Sequence, residues 1–409
     1  RANPEIWKTD PGSCEPPSFL CHEEALRSAD SCGAERVPSA GKGEQEDRTM
    51  TGDFRMKKIS IIIPVHNAEK TLDLAVQSVL RQTLRRRNGI SLEVILVDDG
   101  SSDASGNLCD RYRKEPQPEA GSCEPVTFRV IHMEDEGVSE ARNRGLELSE
   151  GDFITFLDAD DAMEPGMLEC LYELHENTGA SICGCGFRSV TPEEARTDSE
   201  AQEKAEDDFA GALNHAEMLP RILHGAAIVK DAVFLRDTRV WSKLFTKELI
   251  GDRRFQKGLT IGEDMLFVVS LIREDTVYAL LEKEKLYRYT VNPKGAMERP
   301  FTPSYMDQIR CWEEAESVLE RNLPELLKDK EARARLGALQ IVSDVLTASK
   351  IAKLPKEEQA GYEEEFRLCR DKLLQHRKLP GAALGIPFDY RIKSFLLGRL
   401  PGIYRRLYE

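Results

Sequence analysis

From residue 57 onward the chain alternates short apolar runs with stretches of helical spacing. Ile59–Ile63 is wholly apolar, as a strand buried on both faces requires. Ala68–Gln82 places Leu72, Ala75, Val76, Val79 and Leu80 at helical intervals, and Leu92–Val97 is a second buried run. Ala104–Tyr112, Phe128–Ile131, Val138–Leu148 and Phe153–Leu157 continue as helix, strand, helix and strand. This order predicts parallel βαβ units, hence an α/β fold with a doubly wound, mostly parallel sheet. Ligands of such sheets lie beyond the carboxyl ends of the strands, near the point where strand order reverses. Past Phe301 the spacing is helical, over Met306–Leu323, Lys330–Ser349 and Glu357–His376.

The chain therefore divides into residues 1–55, an α/β domain over 56–295 and a helical extension over 296–409. The first part is rich in Pro, Gly, Ser and charge without an apolar period, and reads as a disordered or non-native leader, with Met50 and Met56 both ahead of the first strand. Pro116–Pro125 reads as an irregular surface insertion and Thr191–Asp208 as a solvated acidic loop. Gly12–Pro16 recurs as Gly121–Pro125, without the fixed period of a repeat architecture.

Charge narrows the function. A net charge of −15 argues against non-specific nucleic-acid binding, which depends on a Lys/Arg surplus. It leaves nucleotide binding open, because a metal ion can supply the positive charge that phosphates need. The ten cysteines form no disulfide pattern. Cys183 and Cys185 alternate on one strand face, no second Cys/His pair completes a zinc site, and reduced thiols are expected. No run reaches the ~18–20 apolar residues of a membrane span, and no signal-peptide pattern opens the chain. A cytoplasmic location is expected, with at most peripheral contact on the inner face of the cell membrane.

Candidate chemistry gathers after the strands. Pro64, Val65, His66 and Asn67 follow the first strand, and Pro64 is expected to stop its pairing. Asp98 and Asp99 end the second, ahead of Ser102 or Asp103 as a helix cap. Two adjacent carboxylates ending a buried strand are costly unless they bind something, such as a base N–H or ribose hydroxyl. In Asp158-Ala159-Asp160-Asp161, alternation puts Asp158 and Asp160 on one face. Hard oxygen donors suit Mg²⁺ or Mn²⁺, while the competing explanation is capping of a helix over Met163–Asn177. Arg142 and Arg144 lie on a solvated helical face, or one reaches a diphosphate or the carboxylates. Glu263 and Asp264 either favour a helix N-terminus or include a general base. Trp241 is core or a sugar platform, and Lys243 a surface charge or an anion contact.

In order, Ile63–Asn67, Val97–Asp103, Ala141–Gly145, Phe156–Asp161, Trp241–Phe245 and Gly262–Phe267 resemble the motif series of family 2 glycosyltransferases of the GT-A fold, in exopolysaccharide- or capsule-type bacterial members. The resemblance covers roughly residues 57–290 and makes 56–295 the catalytic domain. It implies an inverting transfer of sugar from a nucleotide-diphosphate donor, UDP-linked, to a hydroxyl of a saccharide or lipid-linked acceptor. It places Pro64, Val65, His66 and Asn67, with Asp99, at the nucleobase, and Asp98, Asp158 and Ala159 by the nucleotide sugar. Arg142, Asn143, Trp241 and Lys243 join the donor site. Asp160 becomes the ligand of the divalent cation, and Asp264 the base with Glu263 beside it. His66 replaces the commoner Tyr, which puts base stacking there in doubt.

Tyr390–Tyr408 mixes basic and apolar residues as a membrane-surface helix would, or packs on the domain with Pro401 bending it. A sugar nucleotidyltransferase would need a Gly-rich basic loop at Pro64–Lys70, and a dinucleotide oxidoreductase a G-x-G-x-x-G there; neither is present. The remaining alternative is an inactive nucleotide-sugar-binding or scaffold protein on the same fold.

Overall fold

The computed structural model describes residues 56–114, 124–197, 219–235, 237–292 and 299–408; the leader at 1–55, most of the Pro116–Pro125 insertion and 198–208 of the acidic one lie outside them. Met56–Glu409 is one compact unit. The first half runs β1 (Lys57–Val65), α1 (Leu72–Leu80), β2 (Ile90–Asp99), α2 (Ser105–Lys114), β3 (Val126–Met133), α3 (Val138–Leu148) and β4 (Phe153–Phe156). Then follow β5 (Ala162–Met163), α4 (Met167–Thr178), β6 (Ile182–Val190), β7 (Arg221–His224), α5 (Ala226–Asp231), β8 (Lys243–Thr246), α6 (Lys247–Ile250), α7 (Glu263–Leu271) and β9 (Val277–Thr290).

The strands form one sheet in the order β3-β2-β1-β4-β8-β6-β9-β5, with β7 also on β9. β3, β2, β1 and β4 are parallel, whereas β4–β8 and β6–β8 are antiparallel, so the second half of the sheet is mixed. Strand order reverses between β1 and β4, and the loops after both strands open at that switch point. Both sides of β1 and β2 are buried, which explains their unbroken apolar runs.

Several expectations need correction. Pro64 does not stop β1, which stays paired through Val65 opposite Asp98. Leu157 donates to the Ile62 carbonyl, so the even residues of β1 face β4, and Pro64 turns its missing N–H to the side where β4 has ended. α1 starts at Leu72 because Ala68 and Glu69 give their N–H groups to Ser105 and Asp103 across the loop. Asp158 and Asp160 do not continue a strand: β4 ends at Phe156 and Asp161 N–H closes a turn on Asp158. Nor do they cap a helix, since α4 opens only at Met167 after Ala162 and Met163 have paired with β9. The described start of the acidic insertion, 191–197, contains a helical turn in which Glu194 accepts from Thr191 N–H and hydroxyl.

The extension comprises α8 (Asp307–Asn322), α9 (Lys330–Ala352), α10 (Lys356–Gln359), α11 (Glu363–His376), α12 (Phe388–Arg399) and α13 (Pro401–Arg406). Tyr390–Tyr408 is thus two helices, broken at Leu400, with Pro401 opening the second as its fixed φ favours. Ala315, Leu319, Leu323, Leu336 and Leu339 of the extension share a core cluster with Phe245, Phe267 and Val269 of the α/β part. Cys109, Cys170, Cys183, Cys185, Cys311 and Cys369 are buried free thiols. Among the described residues no helix is long and apolar enough to cross a membrane.

Candidate active site

The centre is Arg142, which α3 carries below the carboxyl ends of the strands, with a side chain 4% exposed. α3 lies close to β1 because Gly145 has no Cβ; one added there would stand 2.3 Å from Ile62 Cγ2. The Arg142 guanidinium donates to Asp158 at 3.0 Å, Glu263 at 3.1 Å and Asp264 at 2.7 Å, and packs over the Phe255 ring. Carboxylates 16 and more than 120 residues along the chain thereby meet on one cation. Burial opposes the charge on Arg142, but Asp264, Asp158 and Glu263 more than offset it and strengthen its hold on the proton.

Glu263 and Asp264 open α7 after Gly262, whose φ of +88° suits glycine. A Cβ on Gly262 would also meet Cys311 Sγ of α8 at 2.5 Å, so the start of this helix rests directly on the extension. The second Asp264 oxygen, Oδ2, accepts Val240 N–H at 3.3 Å. Burial pushes both carboxyls upward, Glu263 to about 7, with Asp264 adding to it there and Asp158 adding at Asp264, against the pull of Arg142.

The turn after β4 adds further negative charge. Burial, then the charge of Asp158, pushes Asp160 up to about 6. Asp161, 1% exposed, is raised well above the usual carboxyl range by burial and by Asp158 and Asp160, though Tyr287 hydroxyl (2.7 Å) and Thr290 N–H (2.8 Å) donate to it. Asp161 is therefore the member that anchors the turn to β9, leaving Asp158 and Asp160 partly exposed. A turn that holds partly exposed hard oxygens against their mutual repulsion fits a divalent cation, which typically takes one or two carboxylates plus phosphate and water oxygens.

The loops after β1 and β2 form the neighbouring wall. Asn67, at φ +50°, accepts Ser102 N–H at 2.9 Å, and its own N–H donates to Ser101 hydroxyl at 3.0 Å. Exposed His66 donates from Nδ1 to the Asp99 carbonyl at 2.7 Å and accepts Asn67 Nδ2–H at Nε2. Asp99 is spent on Glu136 and Gly137 N–H groups at 2.8 and 2.9 Å, and Asp98 on Ser101 N–H and His132. The hydrogen bond to Asp98 raises the His132 pKa. His66, Asp99 and Asp135 bring ligand-type atoms within 4.8 Å of one another. With both Asp99 oxygens already accepting N–H groups, these residues clamp three loops together. Val65 is fully buried, so this position offers the cleft its backbone alone.

Other candidates sit deeper. Trp241 is 6% exposed, stacked on Tyr287 at 4.5 Å and Tyr289 at 5.5 Å, and is core packing here. Lys243 is 1% exposed, which corrects its reading as a surface charge; it donates to Asp237 at 2.5 Å, and Asp237 also accepts Tyr278 hydroxyl at 2.5 Å. Asn143 binds the backbone of Phe255 in both directions, fixing the loop under Arg142. Ala159 is buried in the turn, and exposed Arg144 pairs with Glu147. Sequence reasoning missed Asp237 and Tyr287; the alternation of Tyr287 and Tyr289 in β9, which puts both on one face, was the available signal for the latter.

Residues 60–233 match the family model described as glycosyl transferase family 2. The uncharacterized glycosyltransferase EpsJ of Bacillus subtilis is 32% identical over 258 residues, 62% of this chain and 66% of that protein. The glycosyltransferase GlyA of Streptococcus pneumoniae is 29% identical over 62% of this chain and 33% of its own length. The chain thus spans about two thirds of one relative and a third of the other. The crystal structure of S. aureus TarS 1–349 in complex with UDP superposes with a TM-score of 0.57 at 16% identity, covering 86% of this chain and 89% of that one. The mixed sheet flanked by helices is the GT-A fold, and residues 60–233 carry a glycosyl transferase family 2 domain.

Proposed function

We propose that the chain transfers a sugar from a nucleoside-diphosphate donor, UDP-linked, to a hydroxyl of a saccharide or lipid-linked acceptor, with inversion, in cell-surface polysaccharide synthesis. The observation that carries this reading is the convergence of Asp158, Glu263 and Asp264 on buried Arg142, beside the Asp160 turn at the sheet's switch point. The TarS neighbour bound to UDP supports the choice of donor.

Asp264 is the base in this scheme. It takes the proton of the acceptor hydroxyl as the oxygen bonds to the anomeric carbon and the bond to the diphosphate breaks. One displacement inverts the centre. Arg142 and Val240 N–H hold the Asp264 carboxylate in place while leaving lone pairs for the incoming proton. Its raised proton affinity, set first by burial, brings it closer to working pH, where a base is most effective. Glu263 shares the guanidinium and keeps the pair from separating. A divalent cation held by Asp160, Mg²⁺ or Mn²⁺, would supply positive charge toward the departing diphosphate. Asp158 lies between Arg142 and that turn, in reach of the nucleotide, and His66 and Asn67 border the base.

The test is release of UDP from a panel of UDP-sugars with Mn²⁺, by wild type, Asp160→Ala and Asp264→Ala. Turnover by wild type and loss in both variants is expected. Equal rates in all three would remove these assignments, and stabilisation of Asp264→Ala by a UDP-sugar would still report the bound donor of a non-catalytic protein.

A further inference from the structure

The exposed large apolar side chains of this protein are not scattered. Of the thirteen among the described residues, Leu384, Phe388, Ile392, Phe395, Leu400, Ile403 and Leu407 all fall in the last stretch of the extension. Phe388 is 75% exposed, Ile392 46% and Phe395 51%, and spacing of four and three residues puts them in one stripe along α12 that ends at Arg399. The opposite stripe is the packed one: Ser394 and Leu397 are fully buried, and Ser394 accepts from Arg377 at 2.5 Å. α13 repeats the arrangement, with Tyr404 buried and bonded to the Val345 carbonyl while Ile403 and Leu407 point outward beside Arg406. Each helix is therefore already held by its inner side, and its outer apolar stripe is surplus to folding.

Charge tells what the stripe meets. Residues 377–408 hold seven lysines or arginines against one aspartate, in a chain whose net charge is −15. Among the described residues Lys378, Arg399 and Arg406 show no acidic partner, whereas Arg405 pairs with Glu363 and Lys393 with Asp389. Phenylalanines and branched aliphatics alternating with unpaired cations suit an anionic lipid interface, where rings enter the headgroup boundary and cations meet lipid phosphates. An acidic protein would offer no reason for so many exposed apolar side chains. With no helix among the described residues able to span a bilayer, such contact is peripheral.

We infer that α12 and α13 form a docking surface for an anionic phospholipid bilayer, with Phe388, Ile392 and Phe395 entering the interface and Arg399 and Arg406 reading its charge. This contact stands independently of the reaction proposed above. The test is flotation of the full chain with vesicles of phosphatidylcholine alone or with phosphatidylglycerol. Wild type is expected to float with the anionic vesicles, decreasingly as salt rises, and to stay behind with neutral ones. Phe388→Ser/Phe395→Ser should weaken partitioning by about tenfold or more on either composition. Arg399→Glu/Arg406→Glu should remove the anionic preference, at about fivefold for each cation lost. All the altered side chains are exposed, so melting temperatures should match wild type. Failure of wild type to float, or equal flotation by all three proteins, would overturn the proposal.

Discussion

Two buried cations, Arg142 and Lys243, divide the interior of this molecule by how their charge is met. Lys243 faces one carboxylate, Asp237, which takes a further hydroxyl from Tyr278 and a weak contact from Arg239. Burial lowers the Lys243 pKa and Asp237 offsets only part of that, while the Asp237 pKa is held below its ordinary value by Lys243 and Arg239 despite burial. Arg142 faces three carboxylates, with two more in the adjoining turn. A balanced pair is a finished structural unit. A surplus of carboxylate is an unfinished one, completed by positive charge or protons from outside the chain.

The largest effect that could break this comparison is on catalysis. Asp264→Asn should lower turnover by about 10²–10⁴-fold, the range for loss of a general base, while the melting temperature holds or rises because one like charge is gone. An equal drop in stability would make Asp264 structural. The reverse holds for Lys243→Met, which leaves Asp237 buried without its cation. A loss of about 3–5 kcal/mol is expected in denaturant unfolding, largely restored by adding Asp237→Leu. Unchanged stability would remove the distinction.

A third measurement sharpens it through pH. Asp160 and Glu263 have native pKa values raised to about 6 and about 7, so their ionisation opposes folding. Stability they contribute is fully present below the unfolded carboxyl pKa and is lost as pH rises through about 6 to 7. The melting temperature should therefore fall between pH 5.5 and 7.5, by the equivalent of about 2 kcal/mol. Mn²⁺ should reverse part of the fall in wild type and less in Asp160→Ala. Raised His132 contributes in the same direction, so His132→Gln serves as the control. The smallest effect belongs to the wall: His66→Tyr should change donor KM by a few fold and leave kcat unaltered, since among the described residues its ring bonds Asn67 and the Asp99 backbone.

Features decided locally were readable in the sequence. β1 and β2 are apolar throughout because the sheet buries both faces, and α3 spans the expected Val138–Leu148. The loops at Pro64–Asn67, Asp98–Asp99 and Asp158–Asp161 stood out because each ends or follows an apolar strand. What escaped depends on partners distant along the chain. The sequence around Asp158 and Asp160 reads as a continuing strand until β5 pairs with β9 and turns the chain away. Lys243 looks like any surface lysine until Asp237 is brought beneath it. Arg142 offered two choices, and the meeting of α3 with the start of α7 selected one.

Gly262 carries a consequence for how such chains diversify. The residue that opens the Glu263–Asp264 helix touches Cys311 of the extension, and Ile261 accepts that thiol's hydrogen at 3.1 Å. The helical extension is thus not an interchangeable module appended to a self-sufficient engine. A graft of another tail must reproduce a small side chain at position 311, or it shifts Glu263 and Asp264. Recombination between relatives is constrained at this joint, and the start of α7 can drift only together with the helix that supports it.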